Sequence, residues 1–161
     1  MRRLGSPLRS TALALSLSLS MIAGVAASEP EPLIGKWLAA DDDAPQKGSS
    51  IVETYLQGDR LFARILKTMD AHGNEIDPVC ENCPGELKGK PTKGVVFVSD
   101  LRKQGDRWVD GRVIDLRAGA TQGWIATCDL TLIDSKAVLH GYLGIRALGK
   151  SSYWVRLPET R

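Results

Sequence analysis

The sequence predicts an all-β protein, a small antiparallel up-and-down barrel of about eight strands that follows an N-terminal signal peptide. Short apolar or alternating runs recur after residue 32, and Gly, Asp, Asn or Pro bounds each of them, which is typical of a meander of strands. No later segment repeats its apolar residues every 3.6 positions behind a capping residue. The edge strands of such a sheet would expose unpaired backbone groups, and closure into a barrel removes these edges. A sandwich is the alternative architecture.

The chain begins with the three parts of a cleavable signal peptide. Arg2, Arg3 and Arg9 form a positive region, an apolar run follows at 12–25, and small residues lead up to Ala27. The apolar run is shorter than the roughly 20 residues that span a bilayer, so a membrane anchor is the weaker alternative. We expect cleavage near Ala27 and a periplasmic or secreted mature protein without a transmembrane segment.

Removal of residues 1–27 changes the charge of the protein. The signal holds three of the 21 Lys and Arg residues and none of the 19 Asp and Glu residues. The remaining chain, 28–161, is therefore nearly neutral and lacks the basic face that nucleic-acid binding needs. Its length of about 134 residues suits a single domain with one core.

A hairpin at 51–66 is the clearest local prediction. Two alternating arms flank Gly58 and Asp59, which can adopt the positive φ of a tight turn. The same alternation predicts further strands at 35–39, 95–101, 108–116, 123–133, 137–142 and 152–157. The segment 69–93 lacks this alternation and is a polar, Pro- and Gly-rich connection. A loop of that length is usually functional or locally stapled.

Three short sequence elements are spread over the mature chain. They are Gly35-Lys-Trp37, the run from Trp108 to Asp115 followed by Gly119, and His140-Gly-Tyr-Leu-Gly144 with Trp154-Val-Arg156. Together they resemble an uncharacterised bacterial envelope family, domain of unknown function 2147. The resemblance implies an exported, lipocalin-like antiparallel barrel with no established activity.

The resemblance also implies structural roles for Gly35, Trp37 and Arg156. In lipocalin-like barrels the Gly-x-Trp of the first strand lies at the closed end, where an arginine near the last strand covers the indole. Arg156 is then expected over Trp37, a cation–π contact worth on the order of 1 kcal/mol. The Cys-x-x-Cys of the 69–93 segment departs from the family pattern, so the resemblance implies nothing about it.

The chain contains three cysteines, an odd number for an exported protein. Cys80 and Cys83 lie in the polar loop and are the favoured disulfide, whereas Cys128 lies in a strand and is expected to be a buried apolar thiol. A bridge from one of the pair to Cys128, and reduced or metal-bound thiols, remain alternatives. A catalytic pair would need its first cysteine at the N-terminus of a helix, but Pro84 and Gly85 follow this pair and no helix is predicted there.

Catalytic and metal-binding constellations are missing from the sequence. The only histidines are His72 and His140, and no nucleophile motif accompanies either. Cys80 and Cys83 with His72 leave a zinc site one ligand short, and the acidic 69–93 segment fails the calcium-loop pattern. We therefore expect no enzyme, no metal and no cofactor.

Aromatic residues occur on most predicted strands, where they either fill the core or line a cavity for one small ligand. For a cavity, we expect Tyr55, Trp124 and Tyr142 as lining residues and Arg64 or Arg112 as a polar anchor. The sequence thus favours a protein that binds a small apolar or amphipathic molecule.

Two other function classes stay open. In one, a filled barrel is the scaffold of an envelope interaction module that presents the 69–93 loop. In the other, the protein is a thiol-active envelope protein that uses Cys80 and Cys83.

Overall fold

A computed structural model of the chain describes residues 31–40 and 48–158, so the signal peptide predicted for 1–27 lies outside the described residues. The strands in chain order are β1 (Gly35–Ala40), β2 (Ser49–Gln57), β3 (Arg60–Met69), β4 (Glu75–Ile76), β5 (Val79–Cys80), β6 (Lys90–Pro91), β7 (Val96–Gln104), β8 (Arg107–Ile114), β9 (Ile125–Ile133), β10 (Lys136–Tyr142) and β11 (Lys150–Arg156). Two short 3₁₀ turns, Gly85–Leu87 and Arg146–Leu148, complete the elements of this part of the chain.

Eight of these strands close into an antiparallel barrel. Strands β1, β2, β3, β7, β8, β9, β10 and β11 each pair with the next, and β1 pairs with β11 to complete the circle. The predicted up-and-down barrel is therefore confirmed, and the sandwich alternative is wrong. The predicted strands agree with the observed ones, except that the 69–93 loop also contains the short strands β4, β5 and β6.

The two ends of the barrel differ in the length of their connections. At the closed end, two-residue turns join the strands at 58–59, 105–106 and 134–135, and Gly58 and Gly105 adopt the positive φ that such turns need. At the open end, the connections that lie wholly within the described residues are long, at 70–95, 115–124 and 143–149. We call residues 70–95 the stapled loop.

Large side chains fill the closed half of the barrel. Trp37, Leu61, Leu101 and Leu130 point inward there and are fully buried, and Leu33 packs beneath them ahead of β1. Burial of each such side chain stabilises the fold by about 1.5–3 kcal/mol. This half therefore serves as the core.

Trp37 is held in this core by a polar partner on the neighbouring strand. Its indole Nε1 donates a hydrogen bond to the Thr54 hydroxyl at 3.0 Å, and that hydroxyl donates in turn to the Leu33 carbonyl. Both side chains are buried, so an unpaired indole N–H here would cost roughly 1–3 kcal/mol. The pair thus fixes the ring orientation and explains why a threonine faces the core.

Candidate functional site

The inner wall changes character toward the open end. The register aligns Ala39 with Ser50 on one side and with Trp154 on the other, so these three side chains share the inner face. Trp154 is buried, but most of the inward-facing residues around it are partly exposed, unlike the leucines and Trp37 of the closed half. The partly exposed residues are Ala39, Ser50, Thr68, Phe97, Val113 and Ser152. The open half of the barrel is therefore accessible from outside.

Aromatic rings and a few hydroxyl groups line this open half. The rings of Phe97 and Trp154, on opposite strands, lie 5.9 Å apart between centroids. The Trp154 indole Nε1 donates to Ser152 Oγ at 3.1 Å, which satisfies the polar atom of an otherwise apolar wall. Such a mixture of apolar surface and a few polar groups is typical of small-molecule sites.

A cleft of about 260 Å³ lies in the barrel wall beside this space. It lies where the pairing of β7 with β8 ends, at Val98 and Val113. Its lining combines inner-face, outer-face and stapled-loop residues: Phe97, Val113, Ser99, Arg112, Ile114, Ile125, Val96, Pro84 and Leu87. Because Phe97 and Val113 also face the interior, the cleft borders the open half of the barrel.

The stapled loop forms one side of this cleft and is firmly attached. Cys80 and Cys83 form a disulfide, which confirms the favoured pairing, and both are buried in the core cluster. Gln122, from the connection before β9, accepts a hydrogen bond from the Asn82 N–H at 3.2 Å and donates to the Val79 carbonyl at 3.4 Å. The loop is therefore a packed wall of the open end.

Cys128 is the remaining cysteine and is free and fully buried. Burial, and to a lesser extent the neighbouring Asp129 carboxylate, raises the pKa of its thiol to about 12. It therefore stays protonated at neutral pH. The prediction of a buried apolar thiol at this position is confirmed.

The structure corrects the predicted cavity lining on β2 and β3. Tyr55 and Arg64 lie on the outer face, where Tyr55 stacks on Phe62 at 5.8 Å between centroids and Arg64 lies 5.4 Å from the Tyr55 ring centre. Arg64 also pairs with Glu53 at 2.6 Å. The reason is that Thr54 takes the inner position as the partner of Trp37.

The other three predicted ligand residues also lie outside the interior. Trp124 stands exposed in the connection before β9, and Tyr142 lies on the outer face of β10 beneath Arg146. Arg112 belongs to the outer face as well, but it lines the cleft. Of the five, Arg112 alone is positioned beside the accessible part of the barrel.

Tyr142 belongs to a cluster that the sequence did not predict, which we call the outer-face network. It consists of Asp110, Asp129, Tyr142 and Arg146. Arg146 Nε lies 2.7 Å from the buried Asp129 carboxylate, and its Nη2 donates to Asp110 Oδ1 at 3.1 Å and to the Tyr142 hydroxyl at 3.0 Å. The available signal was Asp129 itself, a carboxylate between Cys128 and Leu130 in a predicted strand.

This network attaches the 143–149 connection to the barrel wall. His140 also holds this connection, because its two ring nitrogens lie 2.9 Å from Ser151 Oγ and 2.8 Å from the Arg146 carbonyl oxygen. The hydrogen bond with Tyr142 and the Asp129 charge raise the pKa of Arg146, so it stays protonated. Both histidine nitrogens are engaged, which gives His140 a structural role.

Asp115 organises the second connection at this end. Burial alone would raise the pKa of this carboxyl, but hydrogen bonds from Arg117 and Thr121 outweigh it and hold the pKa below its ordinary value. The Thr121 hydroxyl donates at 2.7 Å and Arg117 Nε at 2.8 Å. The connection 115–124 is thus folded around a carboxylate.

Across 31–40 and 48–158, no three His, Cys, Asp or Glu side chains come together in a way that could hold a metal ion. Within the same ranges, no helix has the length and hydropathy to cross a bilayer.

The family model described as an uncharacterized protein conserved in bacteria, DUF2147, matches residues 35–156, from the first barrel strand to the last. The chain belongs to the DUF2147 family. A solved structure, protein HP1028 from the human pathogen Helicobacter pylori, described as a member of the lipocalin family, is similar to this DUF2147 protein with a TM-score of 0.64. The two share 21% identity over 79% of this chain and 84% of that one, which shows a common lipocalin-like fold. A comparison with curated proteins finds no match.

Proposed function

We propose that this DUF2147 protein is exported and binds one small apolar or amphipathic molecule in the open half of its barrel. The observation that carries the proposal is the contrast between the two halves. Inward-facing Trp37, Leu61 and Leu130 are fully buried at the closed end, whereas several inward-facing side chains around the buried Trp154 are partly exposed at the open end. A barrel of eight strands has room for packed side chains or for one small ligand. In this proposal it binds without catalysing a reaction.

The chemistry of the wall supports an apolar or amphipathic ligand. Phe97 and Trp154 offer ring surfaces, and Ser50 and Thr68 place two hydroxyl oxygens 3.4 Å apart at the same end. Arg112 at the cleft adds a cation that would favour a ligand with an anionic group. An apolar chain inside and a polar group near the cleft would match these surfaces.

Adjacent residues of β2 allow a direct test. Ser50 faces the open half and Ile51 faces outward, because successive side chains of a strand point to opposite faces. Ser50→Phe should block the space, and Ile51→Phe should leave it open. We expect the fluorescent apolar probe N-phenyl-1-naphthylamine to bind the wild type and Ile51→Phe, and to bind Ser50→Phe at least about tenfold more weakly. Equal binding by the two variants would reject the open half as the site.

Native mass spectrometry of protein recovered from the exported fraction tests for a natural ligand. Retention of a small molecule by the wild type and its loss from Ser50→Phe support the proposal. Sequencing the N-terminus of the same sample tests export, and we expect it to begin near Ser28. An intact N-terminus on protein confined to the cytoplasm would contradict export.

The interaction-module alternative has support in the filled closed half and in the firmly attached stapled loop. Under this alternative a partner protein binds the stapled loop and the barrel binds no probe. The titration with N-phenyl-1-naphthylamine therefore separates the two functions. The thiol-active alternative is disfavoured because both cysteines of the disulfide are buried in the core cluster, whereas a reactive pair needs an accessible sulfur.

A further inference from the structure

The cleft beside the stapled loop is lined by two polar side chains that stand next to each other. Ser99 on β7 is paired with Arg112 on β8, and both line the cleft. Every other lining residue is apolar, Pro84 and Leu87 of the stapled loop among them. A hydroxyl and a guanidinium can both donate hydrogen bonds. The cleft therefore offers an adjacent pair of donors within an apolar surface.

The Arg112 guanidinium has no anionic partner in the described part of the chain. Most arginines of 31–40 and 48–158 pair with a carboxylate or with backbone carbonyls; they are Arg60, Arg64, Arg102, Arg117, Arg146 and Arg156. Within those ranges the side chains of Arg107 and Arg112 do neither, and the Ser99 hydroxyl makes no hydrogen bond. Both donors at the cleft can therefore donate to a ligand.

We infer that the cleft binds the anionic group of a single-chain amphiphile, with Arg112 and Ser99 as its hydrogen-bond donors. The inference rests on the proposed function and names the class of its ligand. A carboxylate or a phosphate accepts hydrogen bonds from a guanidinium and a hydroxyl at once, and such charged hydrogen bonds are stronger than neutral ones. A neutral alcohol gains no charged pair, so the site selects for the anion.

The carboxylates around the cleft leave Arg112 available. Asp110 and Asp115, which flank it on the chain, are paired with other arginines. Glu81 and Glu86 of the stapled loop are exposed, and neither belongs to the lining of the cleft. Solvent screens charges at such exposed positions. The one charge in the lining is therefore the Arg112 guanidinium, which favours an anion.

The size of the cleft suits one end of such a ligand. Its volume of about 260 Å³ is below the roughly 300–1,000 Å³ of sites that enclose a whole drug-sized ligand. Phe97 and Val113 line the cleft and also face the open half of the barrel, where the Phe97 ring meets Trp154. In this arrangement the anionic group binds at Arg112 and the apolar chain extends past Phe97 and Val113 toward the open half.

Calorimetric titration of the whole protein with three ligands of one chain length tests the inference. The ligands are decanoate, decyl phosphate and decanol, so a carboxylate, a phosphate and a neutral alcohol are compared directly. We expect the wild type to bind at least one of the two anions about tenfold or more tightly than decanol. The preference should shrink at high salt, because Arg112 is exposed. The anion that binds more tightly identifies the chemistry of the group at the cleft.

Two matched arginine variants test the site itself. Arg112→Gln should remove the preference for the anions and leave decanol binding unchanged. Arg107→Gln removes the other unpaired arginine of β8, which does not line the cleft; it makes the same change in net charge and should keep the preference. Arg112→Lys should keep part of it, since an ammonium group retains the charge but not the planar guanidinium. Ser99→Ala should weaken the binding of the anions less than Arg112→Gln does.

Three results would overturn the inference. They are a wild type that binds neither anion more tightly than decanol, a preference that survives in Arg112→Gln, and equal losses in Arg112→Gln and Arg107→Gln. The probe N-phenyl-1-naphthylamine separates the two proposals. If the probe binds the wild type but the anions bind no better than decanol, the ligand site in the open half stands and the anion site fails. If no probe binds but the anions are preferred through Arg112, the cleft stands as a site by itself and the open half fails.

Discussion

The Arg156 guanidinium lies 4.1 Å from the centre of the Trp37 ring, and Nη1 donates to the Ile34 carbonyl at 3.0 Å. This is the arrangement that the family resemblance implied. It spans the seam where the first and last strands meet, which contains three residue pairs. A Cβ on Gly35 would lie 2.7 Å from Arg156 Nη1, so a glycine is needed there for the guanidinium to reach the ring.

Replacement of Arg156 by alanine should weaken this seam. We expect Arg156→Ala to lower the free energy of unfolding by about 1–2 kcal/mol, because it removes the cation–π contact and hydrogen bonds to two carbonyls. The free energy of unfolding of Arg156→Lys should lie between those of the wild type and Arg156→Ala, since an ammonium group keeps the charge but cannot reproduce the planar guanidinium. Urea denaturation measures the change, with Arg107→Ala as an exposed control near the same end. A loss no greater than the control's would show that the contact does not stabilise the barrel.

Gly111 on β8 tolerates no side chain. A Cβ there would lie 2.5 Å from Leu101 Cγ and 2.8 Å from the Ser99 carbonyl oxygen, whereas one on Gly141 would meet Val113 at 3.4 Å. We expect Gly111→Ala to destabilise the protein by about 1–3 kcal/mol through overpacking, and Gly141→Ala to cost less. Thermal unfolding of the two variants checks the order, and the reverse order would contradict this account.

The strands, the hairpin and the disulfide were predictable because they depend on local signals. Which face of a strand points inward was not. On β2 hydropathy favours Tyr55 over Thr54 as the inner residue, yet Thr54 is inside because Trp37, seventeen positions away, needs a hydrogen-bond acceptor. Irregular pairing between β3 and β7 and between β8 and β9 further breaks the two-residue alternation. A local sequence pattern cannot predict these long-range hydrogen-bond and strand-pairing partners.

Tyr142 shows the same limit at the candidate site. Its aromatic ring suggested an inner position, but its hydroxyl is bonded to Arg146 on the outer face. Arg112 was predicted as a polar anchor of the cavity, and it lies on the outer face beside the cleft, not in the interior. The partial exposure of the open half depends on how the long connections at this end fold, which no local pattern specifies.

The outer-face network should control the mobility of the 143–149 connection. Asp129→Asn keeps the shape of the side chain but removes the charge that Arg146 Nε contacts at 2.7 Å. We expect amide hydrogen exchange in 143–149 to accelerate on the order of tenfold. Glu53→Gln, which removes the charge from a more exposed arginine pair at 2.6 Å, is the control and should leave that segment unchanged. Unchanged exchange in Asp129→Asn would show that the connection is held by other contacts.

Cys128 should make the stability of the protein depend on alkaline pH. Its pKa is raised from 9.0 to about 12 in the folded state, first by burial and then by Asp129. Between these values the unfolded chain loses the thiol proton and the folded chain keeps it, so this contribution is full below about pH 9 and is lost as pH rises toward 12. The slope approaches about 1.4 kcal/mol per pH unit. Urea denaturation at pH values just below and above 9 should therefore show a steeper loss of stability in the wild type than in Cys128→Ala, in which the other titrating groups are unchanged. Parallel slopes would mean that the thiol titrates alike in both states, and rapid alkylation of Cys128 in the native protein near neutral pH would contradict its burial.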